Sequence, residues 1–192
     1  MKKSLIFQLY TLPQTVFTMK QLVLLFPDLS TGLIRRRLHY HVGTSKLVRL
    51  RPGIYAKPEF NALELGNKIY APSYISFETV LEREGLIFQP YETIYLASYL
   101  SRQIQVGDYR FHYRKMKPET VINPEGLVAK DSYHIATKER AFLDTVLVYK
   151  NYHFDNLGGL DWERIEELQQ IYFSRKLNQR VNQYYQEFKD NA

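Results

Sequence analysis

The sequence predicts an α+β protein in two parts, a small helical module ending in a hairpin over residues 1–57 and a larger mixed domain over residues 58–192. Three observations predict it: a reversal of charge near Pro58, helical periodicity that gives way to an alternating pair of segments, and a second half in which strand and helix patterns mix. The 192 residues carry 26 Lys and Arg against 20 Asp and Glu. Residues 1–57 hold Lys2, Lys3, Lys20, Arg35, Arg36, Arg37, Lys46, Arg49, Arg51 and Lys57 against Asp28 alone. The remainder is slightly acidic. Clustered cations gain most by displacing counterions from a polyanion, so the asymmetry points to a nucleic-acid-binding module joined to a nearly neutral one.

Cysteine is absent, which excludes disulfides, Cys-zinc sites and a thiol nucleophile, and a cytoplasmic location is expected. Lys2 and Lys3 followed by SLIFQLYTL resemble a secretion signal only superficially. Gln8 and Thr11 break the apolar run and no small-residue cleavage site follows, so a first helix over residues 4–10 is the reading. The next apolar stretch, residues 22–26, is far shorter than the roughly 20 residues needed to cross a bilayer, and no membrane partner is expected.

A second helix is predicted over residues 18–26, with Leu22, Leu25 and Phe26 on one face and Pro27 as its stop. Ser30 or Thr31 can cap a third helix, LIRRRLHYHV, which should end before Gly43 as a left-handed residue. SKLVRL then alternates like a strand, Arg51-Pro52-Gly53 turns, and Ile54-Tyr55-Ala56 resumes extended structure. Three helices, a tight turn between the last two and a hairpin make a winged helix-turn-helix.

At about 100° per residue, Ile34, Leu38 and His41 face the core and Arg36 points outward, flanked by Gly32, Arg35, His39 and Tyr40. Arg37 sits at the boundary, where an acid of the second domain is an alternative partner. The N-terminal part of such a helix enters the major groove, where Arg donates two hydrogen bonds to guanine. Arg35 and Arg36 are therefore the base-reading candidates. Thr31, His39 and Tyr40 accompany them, while Lys20, Lys46, Arg49 and Arg51 are candidates for phosphate or minor-groove contacts.

In the second domain, residues 61–70 and 76–84 read as helices, the latter closed by Gly85. Residues 93–98, 103–106 and 109–113 read as strands, the last two joined by Gly107-Asp108 as a hairpin. Thr137 caps an apolar helix through Val148, and two amphipathic helices follow, the last with Leu177, Val181, Tyr184 and Phe188 on one face. Catalytic patterns are missing: there is no GxGxxG, P-loop, HExxH or GxSxG. His39 and His41 diverge on their helix, and His112, His134 and His153 are scattered, so neither a metal nor a cofactor is expected. Asp144 interrupts its apolar run, and the expectation is that it faces water or caps a neighbouring loop or Arg, with a partly buried carboxylate as the alternative. Tyr91, Tyr95 and Tyr99 are candidates for a contact surface.

Three segments, SKLVRLRPGIYA, IYAPSYISFETVLEREGLI and IATKERAFLDTVL, occur here in the order found in the AbiEi-type antitoxins of bacterial abortive-infection, type IV toxin-antitoxin systems. The chain resembles that family over residues 15–148, with Lys138 where a Pro is common. The resemblance implies a non-enzymatic regulator. Its winged helix-turn-helix would bind operator inverted repeats in double-stranded DNA upstream of its own operon, and its C-terminal domain would counter a cognate AbiEii-type nucleotidyltransferase toxin without necessarily binding it. By the same match Arg35, Arg36, Lys46, Arg49 and Arg51 fall in the DNA-binding module, and Ser76, Glu78, Glu139 and Asp144 in the C-terminal motifs. Two other functions fit the residues: a nuclease, which needs acids converging on a metal, and a ligand-sensing repressor, which needs an apolar pocket.

Overall fold

The computed structural model describes residues 4–191; Lys2 and Lys3, counted in the basic half, lie outside them. The chain is a mixed α+β protein. Its first part contains α1 (Leu5–Thr11), β1 (Val16–Thr18), α2 (Met19–Leu25), α3 (Thr31–Gly43), β2 (Val48–Arg51) and β3 (Ile54–Ala56). The strands form an antiparallel sheet in the order β1-β3-β2, so β2 is an edge.

Successive side chains of a strand point to opposite faces, and here the two faces serve two cores. Phe17 and Tyr55 join Leu5, Leu9, Leu22, Ile34 and Leu38 in a small core under the three helices. Val16, Ile54 and Ala56 belong instead to the large core of the second part. The small sheet is thus a wall between two lobes, not a hairpin standing free in solvent. β1 escapes sequence reading because three residues are too few to display an alternation.

The second part contains α4 (Ala62–Ile69), β4 (Ser73–Ile75), α5 (Glu78–Arg83), β5 (Thr93–Ser98), β6 (Arg102–Val106), β7 (Tyr109–Lys115), α6 (Pro118–Ile122), β8 (Leu127–Ala129), β9 (His134–Ala136), α7 (Lys138–Val148), α8 (Trp162–Gln169), a 3-10 turn over Gln170–Tyr172, and α9 (Arg175–Asn191). Its six strands run in the order β6-β7-β5-β4-β9-β8. The β5/β7 and β4/β9 pairs are parallel and the others antiparallel. A Cβ on Gly66 of α4 would stand 3.1 Å from the Phe111 ring and 3.2 Å from Leu96, so the missing side chain lets this helix lie close on β5 and β7. Gly107 turns the β6–β7 hairpin with φ at 58°.

Two local expectations are corrected. Gly43 is the last residue of α3 and not its left-handed terminator; the chain reverses two residues later at Ser45, φ 57°. The backbone N–H groups of Lys46 and Leu47 then donate to the His41 carbonyl, at 2.9 and 3.1 Å, closing the helix end. The helix expected from Ser76 begins only at Glu78, because Phe77 adopts φ 55°. That conformation is costly for a residue with a side chain, and it separates the end of β4 from the start of α5.

The lobes are also latched by α4. The buried Glu64 carboxylate accepts from the Thr15 backbone N–H at 2.8 Å, the Thr15 hydroxyl at 2.6 Å and Lys68 Nζ at 2.6 Å. Lys68 Nζ donates in turn to the Val16 carbonyl.

If the wall couples the cores, Phe17→Ala should cost about 3–5 kcal/mol and shift the unfolding of both lobes together. Trp162, the sole tryptophan, lies in the large lobe, so its fluorescence through a urea titration reads the coupling. The expected result is a lowered Trp162 midpoint coincident with the loss of helical circular dichroism; an unmoved Trp162 midpoint contradicts it.

Candidate nucleic-acid interface

The local sequence builds α2 and α3 with their termini satisfied. Thr18 and Gln21 form a reciprocal cap at the start of α2, and Ser30 Oγ accepts from the Leu33 N–H at 3.3 Å at the start of α3. Ser30, not Thr31, is therefore the cap. Between the helices, Phe26 and Leu29 pack back onto the small core, which holds the connection tight.

On α3, Ile34, Leu38 and His41 are buried as the periodicity requires. Thr31, Arg35, Arg36, Arg37, His39 and Tyr40 are all exposed, and Tyr40 keeps 63% of its surface accessible. Arg35, Arg36, His39 and Tyr40 lie within one arc of the helix, at about 100° per residue. That arc presents guanidinium donors, an imidazole and a phenol to solvent.

Lys46 and Arg49 are exposed beside the helix end and on the edge strand β2. The Tyr10 hydroxyl donates to the Lys46 carbonyl at 2.8 Å, tying α1 to the start of this hairpin. The cationic surroundings register on His41. Burial, and then Lys46 and Arg37, hold its imidazole below the ordinary value.

Four basic residues stand apart from that arc. Arg37 is exposed and rims a hollow lined by small-lobe residues, among them Leu5, Phe26, Asp28 and His41. Lys57 turns inward, donating from Nζ to the Leu12 carbonyl at 2.7 Å. Lys20 is exposed on α2 and lines a cleft against the large lobe. Arg51 is half-buried, with Nη1 enclosed and unpartnered. A bulge between Arg49 and Arg51 lets Leu50 pack on the large core. The same inward turn brings Arg51 near Tyr70, whose phenol is held below its ordinary value first by the Arg102 guanidinium and also by Arg51.

The large lobe concentrates its polar chemistry in its interior. Asp144 is fully buried, which overturns the expectation that it faces water. It accepts from Ser76 Oγ at 2.7 Å, the Tyr172 hydroxyl at 2.7 Å and the Tyr74 hydroxyl at 3.0 Å, and Arg140 Nε lies 3.8 Å away. Burial pushes its carboxyl above the ordinary range, against Arg140 and the three hydroxyls that favour the ionised form. Arg140 also donates to the Thr120 carbonyl at 2.7 Å and the Glu125 carbonyl.

A second buried pair, Arg114 Nη2 to Glu78 Oε1 at 3.0 Å, sits among the rings of Phe77, Tyr95 and Tyr149. Sequence reading missed Arg140 and Arg114. Arg140 is one helical turn before Asp144 and so was detectable by its spacing. Arg114 carries no such local signal. Of the proposed tyrosine surface, Tyr99 is exposed, whereas Tyr91 and Tyr95 pack edge to face and are half-buried. Among the described residues no three His, Asp or Glu side chains converge as a metal site.

No protein-family model matches the chain, and no curated protein matches it.

The latch is the titratable element of the junction behind this surface. Burial alone would raise the Glu64 pKa, but the hydrogen bonds from Lys68 and Thr15 outweigh it and the carboxyl lies below its ordinary value. Its contribution is therefore complete above the usual glutamate range and fades as pH falls through the lowered folded-state value. Glu64→Gln should cost on the order of 1–3 kcal/mol at neutral pH, with the deficit narrowing in acid. Denaturant titrations of both proteins between pH 7 and pH 3 check this, and a deficit that widens in acid contradicts it.

Proposed function

We propose that the chain is a regulator that binds duplex DNA through a winged helix-turn-helix made by α1–α3 and the β2–β3 hairpin. The single observation that carries the reading is the outward arc of α3. Arg35, Arg36, His39 and Tyr40 stand there exposed, with exposed Lys46 and Arg49 beside them, in a segment whose only acid is Asp28. In this reading Arg35 and Arg36 contact base edges, while Lys46 and Arg49 hold phosphates and set the register. Arg51 leaves the phosphate-binding set, because its guanidinium is turned toward Tyr70.

We further propose that the protein is a non-enzymatic, cytoplasmic antitoxin of the AbiEi type that represses its own operon at inverted repeats and counters a nucleotidyltransferase toxin. The ordered sequence segments are the basis of this part. A spatial observation supports treating them as one unit: Tyr74 and Ser76 from the second segment meet Arg140 and Asp144 from the third in the buried network. The nuclease alternative has no converging set of acids to favour it among the described residues.

Arg36→Ala should weaken binding to DNA from upstream of the protein's own reading frame by about 1–3 kcal/mol and relax sequence preference. Arg49→Ala should weaken cognate and random duplexes alike. Fluorescence anisotropy with both DNAs decides, and equal losses on both DNAs for both variants contradict the division of roles. For the antitoxin part, co-expression with an AbiEii-type nucleotidyltransferase toxin from the same operon, if growth is arrested by that toxin alone, should restore growth, and Arg36→Ala should leave that rescue intact. Failure of the wild-type chain to rescue overturns it.

A further inference from the structure

A large hollow lies away from the α3 arc. A cleft of about 730 Å³ opens between the lobes, with Lys20 of α2 on one side and Asn67, Lys68, Ile122, Leu127 and His134 of the large lobe among its walls. Its size falls in the range of about 300–1,000 Å³ that small-molecule sites occupy. The lining is mainly apolar: Ile122 leaves 69% of its surface exposed, and Ala71, Pro72 and Val121 extend the same surface.

Neutral polar side chains, Thr18, Gln21, Ser73 and Ser132, are set into that apolar wall together with basic ones. Lys20, Lys68 and His134 line the cleft and no carboxylate does. Lys68 is committed to Glu64 and the Val16 carbonyl, which leaves Lys20 as the exposed cation at the mouth. Asn67 is 8% exposed; its Oδ1 accepts from the His134 backbone N–H at 2.9 Å, while its Nδ2 is enclosed without any acceptor. With essentially no surface open to the cleft, that nitrogen is out of reach of a bound molecule. The wall therefore combines an apolar body site and a cation.

We propose that this cleft binds a small molecule with an apolar body and one carboxylate, the body lying on Ile122 and Leu127 and the carboxylate drawn to Lys20. The site does not rest on the DNA-binding function proposed above.

Isothermal titration calorimetry of the full chain without DNA tests the site, with decanoate as the probe and decanol as its uncharged counterpart. Saturable binding of one decanoate per chain is expected, with decanol at least tenfold weaker. Lys20→Gln should weaken decanoate roughly tenfold, as for one lost hydrogen bond to a charged group, and leave decanol unchanged. Ile122→Glu, at an exposed position, should abolish both. The proposal is overturned by absent or non-saturable decanoate binding, by decanol binding as tightly, or by full binding to Ile122→Glu. It is also overturned if sedimentation shows a wild-type dimer that Ile122→Glu returns to monomer, since the groove is then a self-association surface. A parallel duplex titration keeps the two readings apart: decanoate binding together with absent DNA binding supports the cleft and counts against the DNA-binding function.

Discussion

The three-stranded sheet, with one face in each hydrophobic core, is the constraint on which the rest of the structure depends. Phe17 and Tyr55 cannot leave the small core, nor Val16, Ile54 and Ala56 the large one, without exposing apolar surface on both sides of the same strands. Glu64 adds a polar latch to the same wall by gathering the Thr15 N–H, the Thr15 hydroxyl and Lys68. The two lobes are therefore joined through shared strands, and α3 is carried on a fixed support.

Charge is sorted by the same logic. Removing a carboxylate or guanidinium from water is tolerated only when partners replace the lost hydration. Asp144 has three hydroxyls and Arg140, and Glu78 has Arg114 and the Tyr149 hydroxyl at 3.1 Å. The exposed cations of α3 and β2 meet no such requirement and remain in water. An arrangement that pairs its interior charges and leaves one outer face cationic is suited to a polyanion.

Much of the local structure was legible in the sequence because it obeys short-range rules. Residues 31–43 show the helical period that buries Ile34, Leu38 and His41, Thr137 caps α7 as its position suggests, and Gly107 closes its hairpin with the positive φ that the turn needs. What was not legible depends on distant contacts. β4, β8 and β9 are three-residue strands recruited by a sheet built from far-apart segments. The inward turn of Arg51 follows from a bulge and from the second lobe, which no local pattern encodes. Asp144 looked like a break in an apolar face because its partners Tyr74, Ser76 and Tyr172 come from β4, the residue just beyond it and the turn before α9.

The central claim is that the cationic face carried by α3 and β2 engages duplex phosphates and bases. Its most direct measurement is the dependence of duplex-DNA affinity on salt concentration for the wild-type chain and for Lys46→Gln/Arg49→Gln. The account predicts a steep linear fall of log affinity with log salt in the wild type and a slope shallower by about 2 in the double variant, close to one per phosphate contact removed. Identical slopes for the two proteins, or no duplex binding by the wild type at low salt, would contradict it.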